Sequence, residues 1–330
     1  MVQYTVRRVA QAVGVLWAAY TVSFVVLYLL PSDPVSILLN QSGGGAGRPS
    51  AEQVARIQEM YGFDDPVLVQ YLTHLVDALR LDFGQSVSLG QPVTSLLVDN
   101  LPPTLALAAV ALLLTLVIGG GLAFVATYVS WRPLRTFLHR LPAVGVSFPT
   151  FWVGLLLIQL FSFSLGWFPA TGSDGVSTLF LPALAMSLPT AGILAQVLIR
   201  GLDDTLDQAH ITTARAKGLS RLRIHTKHAL KNASLPALTI LGLLVGFTVT
   251  NAVVVETIFS RLGIGRLAQQ AVLAQDIPLV QGIVVLAAFA FVLINLVVDL
   301  VYPLLDPRVL QRGPSRSRDR RETPDTLELV

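Results

Sequence analysis

Apolar residues run through this chain in long unbroken stretches. Asp, Glu, Lys and Arg are absent from six of them: 9–32, 100–131, 141–173, 175–199, 232–255 and 277–298. Each stretch holds the roughly 20 mainly apolar residues that a helix needs to cross a bilayer. None alternates apolar with polar positions in the two-residue period of a barrel strand, and only helices and closed barrels satisfy their backbone in lipid. The pattern predicts an all-α integral membrane protein with six spanning helices, placed near 9–30, 102–129, 141–165, 178–199, 234–257 and 280–303. The first apolar run exceeds the 7–15 residues of a signal-peptide core. It leads into Leu-Pro-Ser-Asp-Pro rather than a small-residue cleavage site, so it reads as a retained helix.

The polar segments between the spans have their own pattern. Residues 31–101 form the one sizeable outer region. Within it, GGGAG at 43–47 reads as a flexible link. Ser50 and Gln53 then form a capping box that starts a short helix to about Met60. Asp65-Pro66 signals a second start. Leu68, Tyr71, Leu72, Leu75 and Leu79 follow at helical spacing, which predicts an amphipathic helix. It could lie on the bilayer surface or cap the mouth of the bundle. The cytoplasmic segment 201–231 reads GLDDTLDQAHITTARAKGLSRLRIHTKHALK. Asp203, Asp204 and Asp207 come first and basic residues from Arg215 follow, an order that suits a helix dipole. Gly218 reads as a left-handed C-terminal cap. A second basic helix, from about Ser220, leads into the fifth span. This helix–Gly–helix hairpin has the shape of a docking surface; an ordinary basic loop is the alternative, and the segment's length and internal capping order favour a specific partner.

Composition agrees with the pattern. Of 330 residues 53% are hydrophobic and 13% charged, about half the usual charged share, and the mean hydropathy is +0.66. The net charge of +3 offers no dense basic patch for nucleic acid. There is no cysteine, which excludes a disulfide scaffold, a thiolate nucleophile and Cys-ligated metal. Charge sign sets the sidedness. With the N-terminus inside, cytoplasmic segments hold 18 of the 23 Lys and Arg residues, so both termini are expected in the cytoplasm.

Enzyme chemistry is hard to place on this chain. There is no HExxH helix, GxSxG elbow or GxxxxGK[ST] phosphate loop. GGGAGRPS lacks the lysine and the spacing of such a loop. His225 and His228 stand three apart, but among Lys and Arg they are poorly placed to hold a cation. Intramembrane charges are usually functional, and an ion-coupled transporter should carry several at mid-membrane. Here Glu256 sits near the outer end of the fifth span and Asp299 near the inner end of the sixth. Asn251, Asn295, Gln159 and Gln196 are the uncharged polar candidates. Asn295 and Asp299 share a helix face. Together Asn251, Glu256, Asn295 and Asp299 could line a path or link helices. This shortage of charge favours an external energy source over an ion gradient. An ion-coupled transporter or channel, and an intramembrane enzyme, are the competing classes.

The hairpin sequence TTARAKGLSRLRIHTKHALKNASLP resembles the cytoplasmic coupling motif of ABC-importer permeases of the dipeptide/oligopeptide type. The general motif is EAA, three residues, then Gly. Its positions fall on Thr212, Thr213, Ala214 and Gly218, with the acidic residue and the first Ala replaced; Leu235-Pro236 lies close to the motif's downstream Leu-Pro. Further blocks resemble the same branch in order: LPSDPV at 30–35, the run 61–87, LPPTLALA at 101–108, and the runs 255–272, 276–282 and 295–308.

The resemblance implies a type I ABC importer-like transmembrane domain over 1–308, with 31–101 as an extracytoplasmic helical insertion and 201–231 as the coupling hairpin. The tail 309–330 is expected to be disordered from its composition. Coupling to the ATPase would fall on Thr212, Thr213, Ala214, Arg215, Ala216, Lys217, Gly218, Leu219, Ser220 and Arg221. The implied partners are a second related permease subunit, two ATPase subunits that bind ATP and Mg, an extracytoplasmic peptide-binding protein, the peptide and the lipid bilayer. The chain itself would bind no cofactor and catalyse no reaction. Relatives of this type handle dipeptides, oligopeptides, nickel, glutathione or haem.

Overall fold

The computed structural model describes residues 2–29 and 66–305. The expected link at 43–47, the helix near 50–60, the Asp65 cap and the tail 309–330 lie outside the described residues, as do the side chains of Asn295 and Asp299. The described chain is helical almost throughout: α1 Val2–Leu29, α2 Val67–Leu79, α3 Val93–Tyr128, α4 Arg132–Ser147, α5 Thr150–Ser164, α6 Gly175–Leu206, α7 Ala209–Ala216, α8 Arg221–Ile258, α9 Ile264–Leu273 and α10 Ile277–Leu305. Residues Ile158–Ser164 and Ile224–Ala229 are π-helical. The β structure among the described residues is an isolated bridge between Gln85 and Pro92.

Among the described residues five helices are long and apolar enough to cross a membrane, six if the bent pair α4–α5 is counted as one span. The span expected over 141–165 falls on this pair and contains the break. The axis turns by 99° between α4 and α5. Pro149 is the cause: a proline disfavours helical geometry in the residue before it, and Phe148 is extended at φ −98°, ψ 131°. On the near side of that bend, α4 carries Arg132, Arg135, His139 and Arg140.

Two more boundaries differ from the sequence reading. Helix α3 begins at Val93 rather than near 102, because its first turns are buried. Val93, Leu96 and Leu97 pack with Leu267 and Ala271 of α9 and with Leu279 and Ile283 of α10. Helix α6 runs past Arg200 to Leu206. Asp203 and Asp204 are therefore in its last turn and Asp207 is its C-cap. They do not open the hairpin helix, as the dipole argument expected. At a helix C-terminus a carboxylate is unfavourable, and Asp203 is held by the Arg135 guanidinium at 2.9 Å and by His139 Nε2 at 3.0 Å, both on α4.

The centre is the contact of α3 with α6. Buried Ala108, Ala111, Thr115, Gly119, Ala123 and Ala126 recur every three or four residues, a stripe of small side chains that lets backbones approach. A Cβ on Gly119 would stand 2.8 Å from the Ala191 carbonyl oxygen. Thr115 and Thr190 share a buried hydrogen bond of 2.7 Å across the same contact. Helix α4 approaches α6 as closely: a Cβ on Gly192 would meet the Pro142 carbonyl at 2.7 Å. Helix α2 forms where the sequence places it and meets α1 through Tyr71, and the residue it buries is Gln70. Tyr71 meets Phe24 edge-on, and its hydroxyl and that of Thr21 are 2.8 Å apart, while Leu68, Leu72 and Leu79 stay exposed.

Candidate functional site

Polar chemistry gathers at the two ends of the bundle. At one end the hairpin forms between α6 and α8. Helix α7 closes with two bonds that satisfy its last carbonyls: the Gly218 N–H donates to Arg215 O (2.9 Å) and the Leu219 N–H to Ala214 O (3.2 Å). Gly218 has φ +77°, the left-handed region that the sequence assigned to it. Ser220 caps the next helix, its Oγ accepting from the Arg223 N–H at 3.4 Å. Inside the hairpin Ile211, Ala214 and Ile224 form a buried cluster with Leu206 and Leu219 against it.

The expected coupling residues divide by face. Thr212, Thr213, Arg215, Ala216, Lys217, Gly218 and Ser220 are exposed. Ala214 is buried and Leu219 half-buried, so these two hold the hairpin's shape rather than its outer face. Arg215 and Lys217 form no ion pair among the described residues. Arg221 turns back toward α3, donating to the Tyr128 carbonyl at 2.6 Å and to Ser130 Oγ at 2.5 Å. His225 is buried and stands edge-on to Phe124 and Tyr128, with Nδ1 3.3 Å from the Arg221 carbonyl. A cavity of about 550 Å³ lies between the hairpin and the adjoining ends of α3, α4 and α6.

At the opposite end two carboxylates are fully buried. Glu256, near the end of α8, accepts from Thr104 Oγ1 (2.6 Å), the Gly265 N–H (2.8 Å) and the Arg266 N–H (3.2 Å). Thr104 in turn accepts from the Ile264 N–H at 2.9 Å. The carboxylate thus fills the N-terminus of α9, where free N–H groups and the helix dipole favour an anion. The fit leaves no room: a Cβ on Gly263 would stand 2.2 Å from Glu256 Oε1, and one on Gly265 2.4 Å from Val253 Cα. Of the two roles open to Glu256, path lining and helix packing, the geometry supports packing. Asn251 is half-buried and donates to the Phe247 carbonyl of its own helix at 3.1 Å.

Sequence reasoning missed the second carboxylate. Asp276 accepts from Ser86 Oγ (2.6 Å), the Ser88 N–H (2.9 Å) and Ser88 Oγ (2.7 Å), and caps α10 through the Leu279 N–H at 3.2 Å. The signal was present, since Asp-Ile-Pro is a helix start with proline in the first turn. Arg261 was missed as well. Its Nη1 donates to the Thr178 carbonyl at 2.9 Å and to Gly172 O at 3.2 Å, tying the loop before α6 to the end of α8. Burial pulls this guanidinium below its ordinary range, and the nearby Glu256 carboxylate opposes the shift.

Comparison with known proteins matches this architecture. Residues 117–311 match the family described as binding-protein-dependent transport system inner membrane component, and residues 1–108 match its N-terminal companion. A Brucella abortus (strain 2308) protein named as a peptide transport system permease is 37% identical over 317 residues, covering 94% of this chain and 99% of its own. The glutathione transport system permease protein of Salmonella choleraesuis is 32% identical over 312 residues, covering 94% and 99%. Among solved structures, a chain of the inward-facing MetNI methionine ABC transporter superposes with a TM-score of 0.53 at 17% identity. The match covers 64% of this chain and 96% of that one, and it supports the fold alone. The helical bundle, its six candidate spans and these matches over nearly the whole chain agree: this protein belongs to the family of binding-protein-dependent transport system inner membrane components, as a multi-pass permease subunit of a bacterial ABC importer.

Proposed function

We propose that this chain imports di- or oligopeptides as one of two paired permease subunits, with both termini in the cytoplasm. A binding protein outside the membrane delivers the peptide, and two cytoplasmic ATPase subunits bind ATP and Mg. The chain itself hydrolyses nothing. The names of its relatives support the substrate class: they include peptide transport permeases and one for glutathione, itself a tripeptide. The observation that carries the energy-coupling role is the hairpin. Its exposed face presents Thr212, Thr213, Arg215 and Lys217 on a helix held rigid by its cap and by the Ile211–Ala214–Ile224 cluster. ATP-driven closure of the ATPases would displace that helix and bias the bundle between inward and outward access.

Two experiments test this reading. Growth of a deletion strain on defined peptides as sole amino-acid source reports the substrate; failure of the restored gene to support growth on any peptide removes the peptide assignment. Gly218→Pro tests the hairpin. Proline holds φ near −65° and cannot take the +77° of this cap. The variant is expected to insert and to lose peptide uptake. Normal uptake would remove the hairpin from the coupling route.

A further inference from the structure

We infer that Arg221 is a positioning residue that ties the coupling hairpin to α3, so that displacement of the hairpin is passed to a helix with which it has no covalent link. The inference rests on the coupling role proposed above. The hairpin is continuous with α6 on one side and α8 on the other. Helix α3 ends separately, at Tyr128. A push on the hairpin reaches α6 and α8 through the backbone, but it reaches the end of α3 through side chains.

Arg221 makes that connection three ways. Its guanidinium donates to the Tyr128 carbonyl at 2.6 Å and to Ser130 Oγ at 2.5 Å, and it lies 4.9 Å from the centre of the Tyr128 ring. The carbonyl is in the last turn of α3, where acceptors lack intrahelical partners and the dipole is negative. A planar fork with several donors suits two acceptors and a ring together, which a lysine ammonium does not. One turn further on, His225 meets the same turn of α3, its ring centre 5.2 Å from Tyr128 and 5.8 Å from Phe124. Those two rings stack on each other at 12°. Arg221 therefore differs from Arg215 and Lys217, whose charges have no counter-ion among the described residues and are free to face a partner.

Helix α3 runs unbroken from the hairpin's contact to the opposite end, with Gly119, Gly120 and Gly121 midway and Gly119 lying against α6. Between Thr104 and Tyr128, about 36 Å of helix, there is no proline. Pro102 and Pro103 lie beyond Thr104. Thr104 itself bonds Glu256 and the first turn of α9. One continuous helix thus joins the hairpin's contact to the carboxylate clasp at the opposite end of the bundle.

The test uses the complete transporter, reconstituted in liposomes, with ATP hydrolysis and peptide uptake measured on the same sample. In Arg221→Ala the ATPase subunits are expected to co-purify as before, while peptide taken up per ATP falls about tenfold; Arg221→Lys should recover only a minor part. Because the chain has no cysteine, Ser130→Cys with Arg221→Cys gives a second and independent measurement. This pair should be as poorly coupled as Arg221→Ala, and a short thiol-reactive cross-linker joining the two positions should restore uptake per ATP. An unchanged ratio in Arg221→Ala would overturn the inference, as would loss of the ATPase subunits, which would make Arg221 a docking residue. Failure of the cross-link to restore coupling would overturn it too. Failure of the underlying coupling role looks different: the unaltered chain would then bind no ATPase subunits, or Gly218→Pro would transport normally.

Discussion

A carboxylate with no exposure needs its partners within reach, and Glu256 has three N–H or O–H donors on two other segments. Glu256→Ala would strip acceptors from Thr104, Gly265 and Arg266 at once. An unsatisfied buried polar group costs about 1–3 kcal/mol, so the variant should be destabilised by about 3 kcal/mol or more. Glu256→Gln keeps the shape but turns an amide toward donors, and an intermediate loss is expected. Thermal unfolding of the detergent-solubilised transporter measures both. Equal stability of Glu256→Ala and the unaltered chain would mean that α9 does not depend on this clasp. Glu256 could be read from the sequence as a rare charge in an apolar run. Its partners could not, because Thr104 lies 152 positions away. Asp276 shows the same division: its place at a helix start is written locally, while Ser86 and Ser88 come from 190 and 188 positions upstream.

Helix contacts depend on which of several similar residues faces a neighbour. Gly119, Gly120 and Gly121 are consecutive, yet only Gly119 lies against α6; a Cβ on Gly120 or Gly121 meets nothing within 4 Å. Gly119→Leu should force α3 and α6 apart at a cost of about 1–3 kcal/mol, whereas Gly120→Leu and Gly121→Leu should be tolerated. The amount of monodisperse protein recovered on size exclusion separates the three. Similar recovery of Gly119→Leu would mean that the α3–α6 contact yields without cost. The bend between α4 and α5 belongs to this scale as well. Pro149 marks it in the sequence, but an unbroken run of uncharged residues from 141 to 173 outweighed that single signal. The hairpin was the most legible element, since its Gly218 cap, its Ser220 start and its basic second helix are all local features.

At the scale of the molecule the two ends differ in kind. One presents the hairpin with exposed Arg215, Lys217, Arg223 and Lys227, and the other presents α9 with exposed Val272 and Leu273. In the proposed topology, which follows the positive-inside rule, the first faces the cytoplasm. A cysteine-free chain lets this be measured directly. Lys217→Cys should react with an impermeant thiol reagent only in inside-out vesicles, and Leu273→Cys only in right-side-out vesicles. The reverse pattern would invert the topology.

Taken by itself, the sequence determined the helical membrane class, the approximate spans and the hairpin with its glycine stop. These rest on hydropathy and caps, which act over a few neighbouring residues. Tertiary structure decided which small residues meet across α3 and α6, that Glu256 and Asp276 hold helix starts, and that Asp203, Asp204 and Asp207 end α6 instead of opening the hairpin. It also decided that the exposed Arg221 bonds the end of α3. These outcomes depend on packing between segments from about 60 to 190 positions apart, and local periodicity carries no information about such distances.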